Sequence, residues 1–253
     1  MILRWFAGII FALLAFVALW LGGGAWSVFL IATLFMAGIE WANLARQPRF
    51  LVAVVLVLAF LFAAVEAYYI FPVLLLLPAM PVFSSQDPDR STAITWTAAG
   101  VVWLVVPVAL LQIMRGEQAG FELVFLLILT TVAQDTLALY GGMIFGREPT
   151  FCPGLSPKKT WAGFISGFLA VAAVFITAGF YGFLPLWVGL LAAVSLGVSG
   201  ACGDLMFSAL KRKASLDDTG RLLPGHGGLL DRVDALLINT AVFYTILSLA
   251  GIF

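Results

Sequence analysis

The stretch LLPGHGGLLDRVDALLINTAVFYTILSLAGIF, Leu222 to Phe253, joins a polar segment directly to an apolar run. The polar segment holds the only histidine of the sequence and two aspartates, whereas residues 235–253 carry no charged side chain. Because a helix needs about 20 apolar residues to cross a membrane, residues 230–251 are long enough for one span. The stretch therefore predicts a membrane-spanning helix that begins with ionisable residues.

The composition of the whole sequence predicts an integral membrane protein. Hydrophobic residues make up 63% of the 253 residues and charged residues only 10%, against about one-quarter charged in soluble domains. The net charge is zero, so nothing indicates a nucleic-acid partner. Further apolar segments follow the first one at once, which favours a retained span over a cleaved signal peptide. The two cysteines, Cys152 and Cys202, lack the spacing of a metal site.

The apolar runs predict an all-α, polytopic fold with about nine transmembrane helices. Residues 50–83 form either one span or two short ones. With two, 12 of the 13 Lys and Arg residues fall on one side of the membrane; with one, they divide 4 to 9. The positive-inside rule favours nine spans, with the N-terminus in the cytoplasm and the C-terminus outside. The predicted spans lie near residues 5–21, 25–43, 50–64, 67–83, 93–113, 121–143, 160–181, 185–210 and 230–251.

About four spans belong to an N-terminal group, residues 1–92, and the others to a C-terminal group, residues 93–253, which carries the polar motifs. Ionisable groups at membrane depth are costly and are therefore functional candidates. Alone, acids in the first turn of a helix could simply suit its dipole. Two aspartates from neighbouring helices, Asp204 and Asp231, could instead hold Mg²⁺ if they lie within about 4–5 Å of each other. Four aspartates fall near the cytoplasmic side: Asp135, Asp204, Asp231 and Asp234.

The helix that carries Asp204 presents a polar stripe towards the cytoplasm. Asp204, Ser208 and Lys211 follow at helical spacing, and Arg212 is adjacent. The basic residues could instead complement the helix C-terminus and reach the lipid headgroups. Three small residues would let a second helix approach Asp204 closely: Ser199, Gly200 and Gly203.

Two loops add candidate phosphate-binding groups. Ser156 is predicted to cap a helix that starts at Pro157, which places Lys158 and Lys159 in its first turn. Bound anions would offset the unfavourable position of these lysines, although positive-inside topology alone could explain them. Around His226, which lacks the company of a metal ligand, glycines would let the backbone turn sharply or approach a ligand: Gly225, Gly227 and Gly228. Together these residues predict a cytoplasm-facing pocket for Mg²⁺-assisted chemistry on phosphates.

The segment SALKRKASLDDTGRLLPGHGGLLDRVD, Ser208 to Asp234, resembles the signature of the phosphatidate cytidylyltransferases, also called CDP-diacylglycerol synthases. The matching positions in this segment are Ser208, Lys211, Arg212, Asp218, Pro224, Gly225, His226, Gly227, Gly228, Asp231, Arg232 and Asp234. Upstream blocks are also similar, namely DTLA at Asp135, FGR at Phe145, SPKKTWAG at Ser156 and GDL at Gly203.

The resemblance implies a multi-pass enzyme of the inner membrane, typically a homodimer, whose active site faces the cytoplasm. Such an enzyme condenses CTP with phosphatidate, a membrane lipid, to give CDP-diacylglycerol and pyrophosphate. By resemblance, Asp204 and Asp231 are the ligands of Mg²⁺, with a second cation left open, and act with Lys211 and Arg212 as the catalytic set. The implied substrate-binding residues are Asp135, Ser156, Lys158, Lys159, Ser208, His226, Gly227, Gly228, Arg232 and Asp234.

The sequence also departs from the family pattern. Ala162 and Phe207 stand where Glu is usual, and Asp217 stands where Lys is usual. These changes keep open a divergent paralogue, with another lipid-phosphate acceptor or a non-catalytic lipid-binding role. A transporter is disfavoured, because inverted repeats and polar sites near the midplane are not seen. Two further departures are Leu139 for Tyr and Met143 for a basic residue.

Overall fold

A computed structural model describes residues 2–64, 90–145, 150–152, 156–216, 218–220 and 227–252. The described chain is almost entirely helical. A π-helical turn, Val101–Val105, joins α4 to α5. The helices are α1 (Ile2–Leu21), α2 (Gly23–Leu44), α3 (Arg49–Ala64), α4 (Arg90–Gly100), α5 (Val106–Gly116), α6 (Gly120–Phe145), α7 (Trp161–Phe180), α8 (Leu186–Lys213) and α9 (Leu230–Leu249).

The predicted integral membrane, all-α class is confirmed. Six helical segments of the described chain are long and apolar enough to cross a membrane, while α1 and α3 contribute shorter apolar stretches, Gly8–Leu21 and Arg49–Leu61. The predicted span 67–83 lies outside the described residues. The six segments are Gly23–Leu44, Thr95–Gly116, Gly120–Phe145, Trp161–Phe180, Leu186–Lys213 and Leu230–Leu249.

The segment before α7 corrects one prediction. Ser156–Thr160 is a β-strand, β2, which pairs in antiparallel fashion with β1, Thr150–Cys152. The predicted cap at Ser156 is therefore wrong, and Lys158 and Lys159 precede the helix instead of occupying its first turn. Thr160 is the actual N-cap, because its hydroxyl accepts the N–H of Gly163 at 3.1 Å. This arrangement keeps both lysines out of the turn in which the helix dipole disfavours cations.

The described chain divides into two compact units. Unit 1 comprises residues 1–121 and 213–233, and unit 2 comprises residues 122–212 and 234–253. The division into groups 1–92 and 93–253 stays a prediction.

Unit 1 is held together by close helix packing and by two long side chains that satisfy backbone carbonyls. A Cβ placed on Gly38 in α2 would lie 2.8 Å from the Cα of Ala53 in α3, so the two backbones are nearly in contact. The indole N–H of Trp41 donates to the carbonyl of Trp96 at 2.9 Å. Arg115 Nε donates to the carbonyl of Leu19 at 2.8 Å, which satisfies one of the last carbonyls of α1.

Unit 2 uses small residues in the same way. A Cβ on Gly167 in α7 would lie 3.0 Å from the carbonyl oxygen of Gln134 in α6. Between α7 and α9, the rings of Phe175 and Phe243 are 5.4 Å apart and both are fully buried. Without water in the hydrocarbon region, such van der Waals contacts and interhelical hydrogen bonds carry much of the stability of a helix bundle.

The α2–α3 contact can be tested with two substitutions in α2. We expect Gly38→Ala to lower the free energy of unfolding by about 1–3 kcal/mol, because the added methyl group meets the backbone of α3. Gly24→Ala is the matched control, since no atom lies within 4 Å of the added carbon. Ala favours helix over Gly by about 1 kcal/mol, so this variant should be neutral or stabilised. Thermal unfolding in detergent measures both, and equal midpoints would contradict the close packing.

Candidate functional site

Three aspartates on different helices come together in unit 2. Asp234 in α9 is 5% exposed, and the N–H of Ala235 donates to its carboxyl at 2.8 Å. Asp204 in α8, Asp135 in α6 and Lys211 are the charged groups that interact electrostatically with Asp234. The structure thus groups predicted site residues from three helices, α6, α8 and α9.

A lysine neutralises one of these aspartates. Lys159 Nζ in β2 forms a salt bridge with Asp204 Oδ2, and both side chains are partly exposed. The strand that replaced the predicted helical turn therefore places Lys159 beside the acid group of α8. A predicted phosphate contact and a predicted metal ligand are therefore paired with each other, so that each side chain neutralises the charge of the other.

The close helix approach predicted around Asp204 is confirmed. A Cβ on Gly203 would lie 3.1 Å from the carbonyl oxygen of Asp234 and 3.3 Å from the Cα of Ala235. Gly200 similarly leaves room for the side chains of Gln134 and Asn239. Any larger residue at Gly203 would separate α8 from α9 at the level of the aspartates.

A buried amide cluster lies near the aspartates and was missed in the sequence. Asn239, fully buried in α9, donates to the hydroxyl of Thr131 at 3.3 Å and to the side-chain oxygen of Gln134 at 3.4 Å. It accepts from the hydroxyl of Ser199 at 2.6 Å, and Gln134 donates to the carbonyl of Gly197 at 2.9 Å. These bonds fix the register of α6, α8 and α9. In the sequence, the presence of amide side chains inside apolar spans was the signal that could have indicated this cluster.

In unit 1, Asp231 is held by the loop that precedes α9. Its Oδ2 atom accepts three hydrogen bonds of 3.0 Å, from the N–H of Gly228 and from both the N–H and the hydroxyl of Thr219. Gly227 has φ +80, and a Cβ on Gly228 would clash with Thr219 and Glu40. The predicted sharp turn is confirmed at Gly227, whereas the backbone at Gly228 lies close to Thr219 and Glu40, and its approach to a ligand stays a prediction.

Glu40 is the second residue that the sequence analysis did not select. This side chain of α2 is 0% exposed. Oε1 accepts the N–H of Leu229 at 2.9 Å, and Oε2 accepts the N–H of Leu230 at 2.9 Å and the hydroxyl of Thr219 at 3.1 Å. Glu40 thus satisfies backbone donors at the start of α9. A lone acid in an apolar helix was the available signal.

The structure places most of the other predicted site residues in α8, α9 and β2. Ser208, Lys211 and Arg212 lie in α8, Arg232 is exposed in the first turn of α9, and Ser156 is partly exposed in β2. His226 and the side chain of Lys158 lie outside the described residues. Phe207, where the family pattern has Glu, is fully buried.

Within the described ranges, no three His, Cys, Asp or Glu side chains are grouped closely enough to hold one metal ion. A site with two carboxylates, completed by substrate phosphates, needs no such trio.

Comparisons with known proteins agree with these features. Residues 2–250 match the profile described as the Cytidylyltransferase family. A phosphatidate cytidylyltransferase of Rickettsia felis is 29% identical over 207 residues, which cover 78% of this chain and 90% of the relative. A phosphatidate cytidylyltransferase of Mycobacterium leprae is 37% identical over 172 residues, 68% of this chain and 54% of the relative. The match therefore spans about half of the mycobacterial protein.

The amide cluster provides a stability test within unit 2. We expect Asn239→Leu to lower the free energy of unfolding by about 0.5–2 kcal/mol, because Ser199 and Gln134 lose a buried partner. Thr245→Val is the matched control in the same helix, since its hydroxyl is exposed and donates only to the carbonyl of Ala241. The free energy of unfolding of both variants is measured in detergent and compared. An Asn239→Leu variant as stable as the control would show that the cluster does not hold the helices.

Proposed function

Because the chain belongs to the cytidylyltransferase family, we propose that it transfers a cytidylyl group from CTP to phosphatidate. The products are CDP-diacylglycerol and pyrophosphate, and the reaction serves phospholipid biosynthesis. The observation that carries the proposal is the family match over residues 2–250, which includes every candidate site residue. The names of the relatives favour this activity over a non-catalytic lipid-binding role.

The reaction is a phosphoryl-type displacement. A phosphate oxygen of phosphatidate attacks the α-phosphorus of CTP, the bond from that phosphorus to the bridging oxygen breaks, and pyrophosphate leaves. Both reactants are anions, so their repulsion and the charge on the leaving group dominate the barrier. Lys211 and Arg212 are the cations assigned to lower that barrier, and the protein needs no covalent intermediate.

Asp204 and Asp231 are the residues that would hold Mg²⁺, with a second cation left open. The donor set fits the ion, because carboxylate oxygens suit a hard cation and Asp204 already accepts the ammonium group of Lys159. When bound, Mg²⁺ would supply positive charge to the triphosphate. The remaining residues are assigned to substrate binding: Asp135, Ser156, Lys158, Lys159, Ser208, His226, Gly227, Gly228, Arg232 and Asp234.

The proposal includes an orientation in the membrane. We place nine spans in the inner membrane, with the N-terminus in the cytoplasm, the C-terminus outside and the active site facing the cytoplasm, where CTP is available. The 12-to-1 distribution of Lys and Arg supports this topology. A homodimer is proposed from the resemblance alone.

Activity is tested with the purified protein in liposomes that contain phosphatidate, supplied with labelled CTP and Mg²⁺. We expect labelled CDP-diacylglycerol to form. Asp204→Asn and Asp231→Asn should each lower the rate at least about 100-fold, because even outer-shell partners of a metal ligand contribute roughly 10–100-fold. Thr245→Val, an exposed position in α9, is the control and should keep its rate. A folded wild-type protein that forms no liponucleotide would refute the proposed reaction.

The topology is tested with reporters fused after Phe253. With nine spans, Phe253 lies on the outer face of the membrane. Alkaline phosphatase fused there should therefore be active, and green fluorescent protein should be dark. The same reporters inserted after Arg49, on the proposed cytoplasmic side, should give the opposite pattern. Fluorescence at the C-terminus together with an inactive phosphatase would instead indicate an even number of spans.

A further inference from the structure

The contacts of Glu40 all lead to the segments around Asp231. The carboxyl group lies in an apolar helix and is completely buried. Burying such a group is costly unless hydrogen bonds replace the lost water. Those bonds come from three residues, Thr219, Leu229 and Leu230, that lie about 180 to 190 positions further along the chain. Glu40 therefore joins α2 to both segments that surround Asp231.

Thr219 connects the two acids directly. Its hydroxyl oxygen lies 3.1 Å from Glu40 Oε2 and 3.0 Å from Asp231 Oδ2. A hydroxyl has one hydrogen, so it donates to only one of these carboxyl groups at a time. The N–H of Thr219 also donates to Asp231 Oδ2 at 3.0 Å. The position of this one residue thus depends on Glu40 and determines two of the bonds to Asp231.

The packing leaves little room for this arrangement to change. A Cβ on Gly228 would lie 2.6 Å from Glu40 Oε2 and 2.8 Å from the backbone nitrogen of Gly220. The backbone at Gly228 therefore lies in direct contact with the carboxyl group of Glu40. Gly228, in turn, donates the third hydrogen bond to Asp231 Oδ2. All three donors to that atom belong to residues that line the Glu40 side chain.

We propose that Glu40 is a positioning residue that orients Asp231 for metal binding. It acts through Thr219 and through the backbone from Gly228 to Leu230, without touching the reacting groups itself. The inference rests on the proposed function, in which Asp231 is a ligand of Mg²⁺. It goes beyond that function, because it gives a residue of the N-terminal helices a role in orienting Asp231.

Glu40→Gln tests the inference with nearly unchanged side-chain volume. An amide has one oxygen, so its NH₂ group would face at least one of the backbone N–H groups of Leu229 and Leu230. We expect Mn²⁺ affinity, measured by electron paramagnetic resonance on the full-length protein with CTP, to fall about 10-fold or more. The apparent KM for Mg²⁺ in the transfer reaction should rise by a similar factor, while kcat at saturating Mg²⁺ changes less.

A further pair of variants at Thr219 and a stability control at Arg115 separate positioning from folding. Thr219→Ser keeps the bridging hydroxyl and should bind Mn²⁺ like the wild type, whereas Thr219→Val should weaken binding in the same direction as Glu40→Gln. If Glu40→Gln does not fold, the two Thr219 variants test the inference instead. Arg115→Met removes a side-chain bond to the Leu19 carbonyl in the same unit. It should lower thermal stability and leave Mn²⁺ affinity unchanged.

The outcomes distinguish this inference from the proposed function. If Asp231→Asn loses Mn²⁺ binding but folded Glu40→Gln and Thr219→Val bind normally, the positioning role is refuted and the metal assignment stands. If Asp231→Asn binds Mn²⁺ like the wild type, the metal assignment fails first. If Arg115→Met weakens binding as much as Glu40→Gln does, the effect is general destabilisation and the inference is overturned.

Discussion

A carboxyl group in an apolar helix must find a hydrogen-bond donor or a counter-charge, because the surrounding side chains and lipid offer neither. This constraint governs both units. Glu40 and Asp231 receive backbone and hydroxyl donors from the segments around Thr219 and Gly228. Asp204 receives the ammonium group of Lys159 from β2. Each of these acids lies on a helix, and most of its partners come from the irregular or extended chain, although the N–H of Leu230 that Glu40 accepts belongs to the start of α9.

The helices could be predicted from sequence because hydropathy depends only on local composition. The apolar runs that became α6, α8 and α9 are each about as long as a membrane is thick, and small residues such as Gly203 indicated where two helices meet. The same local logic failed before α7. Ser156 and Thr160 are both acceptable caps, and the strand pairing that selects Thr160 involves only a few residues on each side.

The site could be predicted only in part for a related reason. A motif identifies residues that share a stretch of chain, and here it selected Asp204, Asp231 and the glycines before α9. It contains nothing about partners contributed by distant helices. Glu40 lies about 190 positions from Leu230, whose N–H it accepts. Asn239 likewise depends on Thr131, 108 positions away. Both residues were visible as polar groups in apolar helices, but their roles required the tertiary contacts.

The Lys159–Asp204 pair bears on how a highly charged reaction could proceed in an apolar protein. Removing one member of a partly buried pair leaves the other uncompensated, which is more costly than exchanging it for another ion of the same sign. On the proposed function, a cation held by Asp204 would take the place of the ammonium group of Lys159, and the anionic substrate would give Lys159 a new partner. Asp204 would then keep a counter-charge, and Lys159 would exchange one anion for another. Such an exchange would avoid leaving either of these partly exposed charges unpaired beside the apolar helices.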